Sequence, residues 1–309
     1  MTAVIENARA GGAASSELLT ESRVFVRDLT RRAARNFYYG LKLLPEPKRS
    51  AMYALYAYMR LIDDIADDER PREQRAMDLD GWERLTHQAI AATQGEAPMP
   101  DGHTLWSAFA EMVRQYRVPT KVFDDMIAGQ RQDLEPVAIP DFAALRAYCY
   151  RVASVVGVAS LYVFGFSGGE ETIEFSVERG IAFQLTNILR DLREDAARGR
   201  CYLPADEMTR FGVSTADLAA GTMTDGMTSL LRHQIERARE FYTHSEKLDA
   251  LVQPDARPTL WAMTEIYRSI LEKIAAKPER AMRRRIGLSS WAKIRIAWIA
   301  MRSRGGTAS

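Results

Sequence analysis

The chain has 309 residues, 47% hydrophobic and 27% charged, which is enough apolar material for one large globular domain. Its 42 Lys and Arg stand against 41 Asp and Glu, and a net charge of +1 excludes a bulk nucleic-acid binder. Two cysteines, Cys149 and Cys201, form no C-x-x-C pair, and the four histidines are scattered, so a reducing cytoplasmic setting is expected and a zinc-type centre is not.

Residues 1–22 lack the basic start and unbroken apolar run of a signal peptide, and Ala8–Ser16 reads as part of a flexible tail. Helical periodicity then dominates, with helices expected at roughly 23–35, 47–69, 73–93, 103–117, 119–131, 141–166, 172–196, 227–250, 257–275 and 288–302. Breakers separate them: Gly40 and Leu44-Pro45-Glu46-Pro47, the polar Gly95–Asp101 stretch, and Gly199–Pro204. Phe211–Gly226, rich in Gly, Ser, Thr and Asp, reads as a long surface excursion. The most apolar run, Val152–Phe166, is shorter than the ~18–20 residues of a membrane span and carries Ser154, Gly157 and Ser160, so it reads as a buried helix. No repeat or linker divides the chain, and one all-α domain over 23–302, followed by a short tail at 303–309, is the expectation.

Two acidic clusters carry the chemistry. Asp63-Asp64-Ile65-Ala66-Asp67-Asp68 closes an apolar helix that runs from Ala51. Asp63 and Asp67 are four apart and share a face, while the whole cluster sits in a C-terminal turn, where the helix dipole disfavours negative charge. A bound cation would relieve both penalties, although a solvated acidic helix end is the commoner explanation of such a cluster alone. The second cluster shifts the balance: Asn187, Asp191 and Asp195 recur at i, i+4 and i+8, with Gln184 one turn before and Arg190 and Glu194 spaced as an i, i+4 pair alongside. Hard divalent cations take oxygen ligands, so two facing helices of this kind can bracket a diphosphate through Mg²⁺, with Mn²⁺ as an alternative. Arg60 and Arg190 suit direct contact with phosphate oxygens.

The segments Phe37–Pro45, Ala54–Asp68, Tyr148–Gly157, Gln184–Asp195 and Gly199–Pro204 closely resemble the squalene/phytoene synthase family, in the family's order and from about Arg23 to about Trp298. The resemblance implies an isoprenoid-synthase helical bundle with a central apolar cavity. It implies a metal set of Asp63, Asp67, Asn187, Asp191 and Asp195, and catalytic roles for Arg60, Asp63, Asp67, Tyr148, Asp191 and Asp195. It further implies substrate contacts through Arg35, Asn36, Tyr56, Arg60, Gln184, Arg190 and Tyr267, and a C-terminal phosphate contact at Arg284 or Arg285. The family often carries His, Lys or Ser near Arg35, and many members carry Lys or Arg where this chain has Ser289 and Ser290.

The reaction so implied joins two prenyl diphosphates head to head. One ionises, its allylic cation is attacked by the double bond of the other, and proton loss gives a cyclopropylcarbinyl diphosphate that some members rearrange further. Farnesyl diphosphate giving presqualene diphosphate or squalene is the first expectation, because the acidic segments are similar to those of bacterial presqualene diphosphate synthases; geranylgeranyl diphosphate giving phytoene is the second. A chain-elongating prenyltransferase or terpene cyclase would show a different second motif, and a non-catalytic scaffold relative should have lost acids that are all present here. No Gly-x-Gly-x-x-Gly follows an expected strand, so a Rossmann nicotinamide site is absent, which leaves NADPH use open. Trp291, Ile294, Trp298 and Met301 form one stripe of the last helix, with Lys293, Arg295, Arg302 and Arg304 off it and Arg280 and Arg283–Arg285 before it. Such a helix either docks on the bundle, the commoner outcome, or makes peripheral contact with the inner face of the cytoplasmic membrane.

Overall fold

The computed structural model describes residues 2–34, 37–135 and 137–303. The long α1 (Thr2–Ala33) and short α2 (Phe37–Leu41) lead into α3 (Lys48–Ala66), α4 (Arg72–Thr93), α5 (Trp106–Tyr116) and α6 (Thr120–Gln132). These are followed by α7 (Phe142–Cys149), a π-helical turn (Tyr150–Ser154), α8 (Val155–Phe164) and α9 (Glu170–Ala197). The remainder comprises α10 (Ala205–Arg210), α11 (Thr215–Ala220), α12 (Asp225–His244), α13 (Leu248–Leu251), α14 (Arg257–Ala276), a 3₁₀ turn (Pro278–Arg280) and α15 (Ser290–Ser303). Among the described residues the sole β feature is an isolated bridge between Phe166 and Val252.

Three expectations are corrected. The stretch read as a tail through residue 22 lies on α1, and Ser22 is fully buried, its hydroxyl donating to Leu105 O (3.1 Å) and accepting from Ala108 N–H (2.9 Å). The Phe211–Gly226 excursion contains α11, which is started by a Ser214–Asp217 capping box and stopped by Gly221 at φ 68°. The helix expected over 227–250 ends at His244 and resumes as the single turn of α13.

Periodic burial explains the packing. One core gathers aromatic side chains of α3–α6: Tyr58 lies 4.7 Å from Phe109 and 5.4 Å from Phe123 between ring centroids, and its hydroxyl is satisfied by Thr86 at 3.1 Å. A second core joins α9, α12 and α14 through residues such as Ile181, Leu185, Leu231, Ile235, Ile266 and Ile270. Arg179, 2% exposed, ties the lower part of α9 to its neighbours by donating to Thr264 Oγ1 (2.5 Å), Ser245 Oγ (2.8 Å) and Ser245 O (2.8 Å). Its donors are therefore engaged within the scaffold.

Helices α7 and α8 with the π turn form one long apolar element, Phe142–Phe164, which is long and apolar enough by composition to cross a membrane. Its apolarity is spent inside the bundle, where Val155, Ala159, Leu161, Val163 and Phe164 are buried against α3, α6 and α9. A π turn inserts one extra residue into the helix and re-aims what precedes it, here Tyr148. Two glycines make room for it. A Cβ on Gly129 would lie 2.9 Å from Arg151 O, and one on Gly180 would lie 2.4 Å from Ser154 Cα. Gly180→Ala should therefore cost about 1–3 kcal/mol, read by denaturant unfolding. An unchanged midpoint would mean that α9 and the π turn separate freely.

Candidate active site

An apolar cavity runs between α3, α8, α9 and α14, walled by Met59, Val156, Gly157, Leu161, Phe183 and Met263. On α9 its lining extends from Ser176 through Gly180 to Asn187, roughly 16 Å at 1.5 Å per residue. Gln184, Asn187 and Tyr267 bound its polar end, and from Asn187 the row continues along the same helix to Asp191 and Asp195. The cavity and the acidic row thus share one face of α9.

The first acidic cluster occupies the end of α3, with Asp67 as its C-cap. Asp63 is partly buried and accepts a hydrogen bond from Gln130 Nε2 of α6 at 2.6 Å. Burial, partly offset by Arg60, together with Asp67 and Asp64 raises the Asp63 carboxyl to about 7. Helix α6 also ends on an acid: Asp133 is its C-cap and is raised to about 6 by burial, against a hydrogen bond from Tyr148 and the charge of Arg200. Two helix C-termini, each a source of negative partial charge, thus carry acidic caps that feel one another.

On α9, Asn187 Nδ2 donates to Gln184 Oε1 at 3.1 Å. Arg190, largely buried, grips Asp191 with Nε (2.9 Å) and Nη2 (2.5 Å). Arg285 Nε reaches the same carboxylate at 3.0 Å, and its Nη1 approaches Glu194 at 3.6 Å. Asp195 is raised to about 6 by burial and by Asp191, with Arg200 and Arg198 opposing. Tyr267 is held up by burial and hydrogen-bonds to Asn187 and Arg190.

The two clusters belong to one site. Arg200 feels Asp67 and Asp133 on one side and acts on Asp195 on the other. Tyr56 feels Arg60, Asp63 and Tyr267, and Tyr267 feels Asp191. The structure therefore brings together Tyr56, Arg60, Asp63, Asp67, Tyr148, Gln184, Asn187, Arg190, Asp191, Asp195 and Tyr267; Arg35 and Asn36 lie outside the described residues. The other two acids of the first cluster have local partners: Arg60 bonds Asp64, while Asp68 caps Arg70 N–H at 2.9 Å and pairs with its side chain. The expected Arg190–Glu194 pairing gives way to Arg190–Asp191, and of the two C-terminal arginines Arg285 is the one that reaches the acids.

Sequence reasoning missed Gln130, Asp133, Arg200 and Tyr202. Tyr202 stacks on Tyr148 at 5.0 Å between centroids. The only available signal for Asp133 was an acid three residues beyond Gln130 at a helix end, which by itself indicates nothing.

The donor set suits a hard divalent cation. It is all oxygen, it crowds carboxylates whose ionisation burial resists, and Asn187 Oδ1 and Asp133 Oδ1 are buried with no hydrogen-bond partner.

The squalene/phytoene synthase family model matches residues 30–292, and the chain belongs to that family. It is 34% identical over 290 residues to a phytoene synthase of Arthrospira platensis, covering 89% of this chain and 91% of the relative. The 15-cis-phytoene synthase of Synechococcus elongatus is 35% identical, with 92% and 93% covered, and the phytoene synthase of Mycobacterium tuberculosis is 37% identical, with 89% of each covered. Among solved structures, a dehydrosqualene synthase in complex with ligand superposes with a TM-score of 0.80 at 26% identity, over 94% of this chain and 98% of that one. A squalene synthase from Alicyclobacillus acidocaldarius gives 0.76 at 27% identity, over 84% and 95%. The protein is a prenyltransferase on the isoprenoid-synthase bundle that joins two prenyl diphosphates head to head. The family's chemistry depends on divalent metal, in line with the donor set. The farnesyl-first expectation is the less well supported of the two substrate readings, since these sequence relatives are phytoene synthases.

Proposed function

We propose that the enzyme condenses two geranylgeranyl diphosphates to phytoene through a cyclopropylcarbinyl diphosphate, releasing two diphosphates. The observation that carries the reading is 34–37% identity to phytoene synthases over about nine-tenths of the chain. The long apolar lining from Asn187 to Ser176 supports a long prenyl tail. Farnesyl substrates form the second reading, supported by the squalene-type structural neighbours.

In this reading Arg60, Arg190 and Arg285 bind diphosphate oxygens, and Arg190 is pre-oriented by Asp191 and Tyr267, so little ordering remains to be done on binding. Asp63, Asp67, Asn187, Asp191 and Asp195 would hold Mg²⁺, with Mn²⁺ as substitute, and Asp133 completes the acidic lining. When bound, the metal supplies charge neutralisation for the departing diphosphate. Gln184 and Tyr56 position the diphosphate end beside the cavity, and Arg35 and Asn36 are assigned to the same task. Tyr148 is pushed above the usual phenol range by burial, so it stays protonated and acts as a dipole beside the developing cation, not as a base. Val156, Gly157 and Leu161 exclude water from the allylic cations.

Incubation of purified protein with Mg²⁺ and each labelled prenyl diphosphate, with and without NADPH, tests the reading. Phytoene should form from geranylgeranyl diphosphate and need no reductant. Efficient conversion of farnesyl diphosphate alone, to presqualene diphosphate or with NADPH to squalene, would replace the first reading by the second. Because either substrate carries a long hydrocarbon tail, we also read the enzyme as a peripheral protein of the cytoplasmic membrane face.

A further inference from the structure

The last helix presents two different faces. Ile296 and Ala300 are buried toward α14 and α2, while Trp291 is 81% exposed and Trp298 47%, with Ile294, Ile299 and Met301 exposed beside them. Arg302 lies over the Trp298 ring at 3.7 Å, so a cation borders the apolar stripe instead of standing clear of it. An apolar patch of this kind on an otherwise well-packed bundle marks a surface that meets something.

Immediately before this helix the chain builds a groove of about 500 Å³ lined by Lys273, Lys277, Arg280, Arg284, Arg285, Ile286 and Gly287, with no carboxylate among its walls. Arg285 is committed to Asp191 and Glu194, and Lys273 donates to Gly287 O at 3.3 Å. Lys277, Arg280 and Arg284 make no ion pair among the described residues. Three unpaired cations held around one concavity favour an anionic group.

The groove and the exposed face are consecutive in the chain, and both adjoin the active site. Arg285 links the groove wall to Asp191, and Lys293 on the inner side of α15 feels the charge of Arg190. Tryptophans beside a basic cluster match the two layers of a bilayer surface: aromatic rings settle at the headgroup level, and lysines and arginines meet anionic lipid.

We propose that α15 and the groove form a docking surface for an anionic bilayer. Lys277, Arg280 and Arg284 seat a phospholipid phosphate, Trp291 and Trp298 enter the headgroup layer, and the active-site mouth is thereby held at the membrane that dissolves the prenyl tails. The proposal rests on the peripheral-membrane reading above and gives it a surface and a lipid class.

The test is co-sedimentation of the full chain with phosphatidylcholine vesicles and with vesicles containing phosphatidylglycerol, alongside activity on detergent-dispersed substrate. The parent should bind only the anionic vesicles. Each basic residue near such a surface contributes roughly fivefold, so Lys277→Gln/Arg280→Gln should weaken binding on the order of 25-fold. Trp291→Ser/Trp298→Ser should also weaken it and make the residual binding more sensitive to salt. Both variants should keep the parent's melting temperature and detergent activity. A parent that ignores both vesicle types, or variants that bind as well as the parent, would overturn the docking surface. Protection of the groove by inorganic diphosphate without any vesicle binding would do the same, assigning the groove to a free anion. Detergent activity and vesicle binding separate the readings. An active parent that binds no vesicle sinks the docking surface and the peripheral-membrane reading but not the reaction. An active parent whose variants bind as well as it does sinks the docking surface alone, and an inactive parent sinks the proposed reaction.

Discussion

Removing divalent cations with a chelator should lower the condensation rate at least a thousandfold, and Mg²⁺ should restore it, because departure of a diphosphate depends on charge neutralisation worth several kcal/mol. The protein's own geometry leads to this expectation. Asp63, Asp133 and Asp195 are held at about 7, 6 and 6 by burial, and two helix C-termini end on Asp67 and Asp133. Among the described residues that crowding is relieved only in part: Arg190 and Arg285 pair with Asp191 and Arg60 with Asp64. Although Arg60 opposes the shift of Asp63 and Arg200 those of Asp133 and Asp195, all three carboxyls stay raised. Cation binding requires ionised carboxylates, so Mg²⁺ affinity measured by calorimetry should fall as pH drops from 8 through 7 to 6. Full turnover in a chelated sample, or Mg²⁺ affinity independent of pH across that range, would end the metal reading.

How much of this site could be read from the sequence follows from the range of the interactions. The row Asn187, Asp191, Asp195 is a local pattern on one helix, so helical spacing reveals it, and the same holds for Asp63 and Asp67. Asp133 and Gln130 join the site only because α6 ends against α3 and the π turn, a long-range contact without a period. The π turn itself is hidden, since Tyr150–Ser154 continues an ordinary helical pattern and the room it occupies is left by Gly129 and Gly180 elsewhere in the chain. At the N-terminus, Ala8–Ser16 has the small residues of a loose segment, yet α1 is helical from Thr2, and Ser22 is fixed by partners eighty-odd residues away. For α15, the sequence supplied an apolar stripe without saying which face the bundle would take. The bundle takes the smaller pair, Ile296 and Ala300, because α14 and α2 approach closely there.

Asp63→Asn and Asp191→Asn should both lower the rate by orders of magnitude yet move stability in opposite directions. Asp63 has a folded pKa of about 7 against an ordinary 3.8, so the folded state binds this proton more tightly than the unfolded chain does. The stability linked to it is fully present below about pH 4 and is lost as pH rises through 7. Asn cannot ionise and can still accept from Gln130, so at pH 8 without metal the variant should gain on the order of 1–2 kcal/mol after allowance for solvent screening. The gain should fade toward pH 4. Asp191 is the reverse case: it receives Arg190 through two hydrogen bonds and Arg285 through a third contact, and Arg190 is mostly buried. Replacing its charge leaves that guanidinium underpaired, at a cost of roughly 1–3 kcal/mol. Unfolding midpoints at pH 5, 6.5 and 8, each paired with an activity measurement, distinguish the two residues. If Asp63→Asn lost stability at pH 8, the crowded-carboxylate picture of the α3 end would be wrong. If Asp191→Asn kept both its midpoint and its activity, Asp191 would be neither the anchor of Arg190 nor part of the metal set.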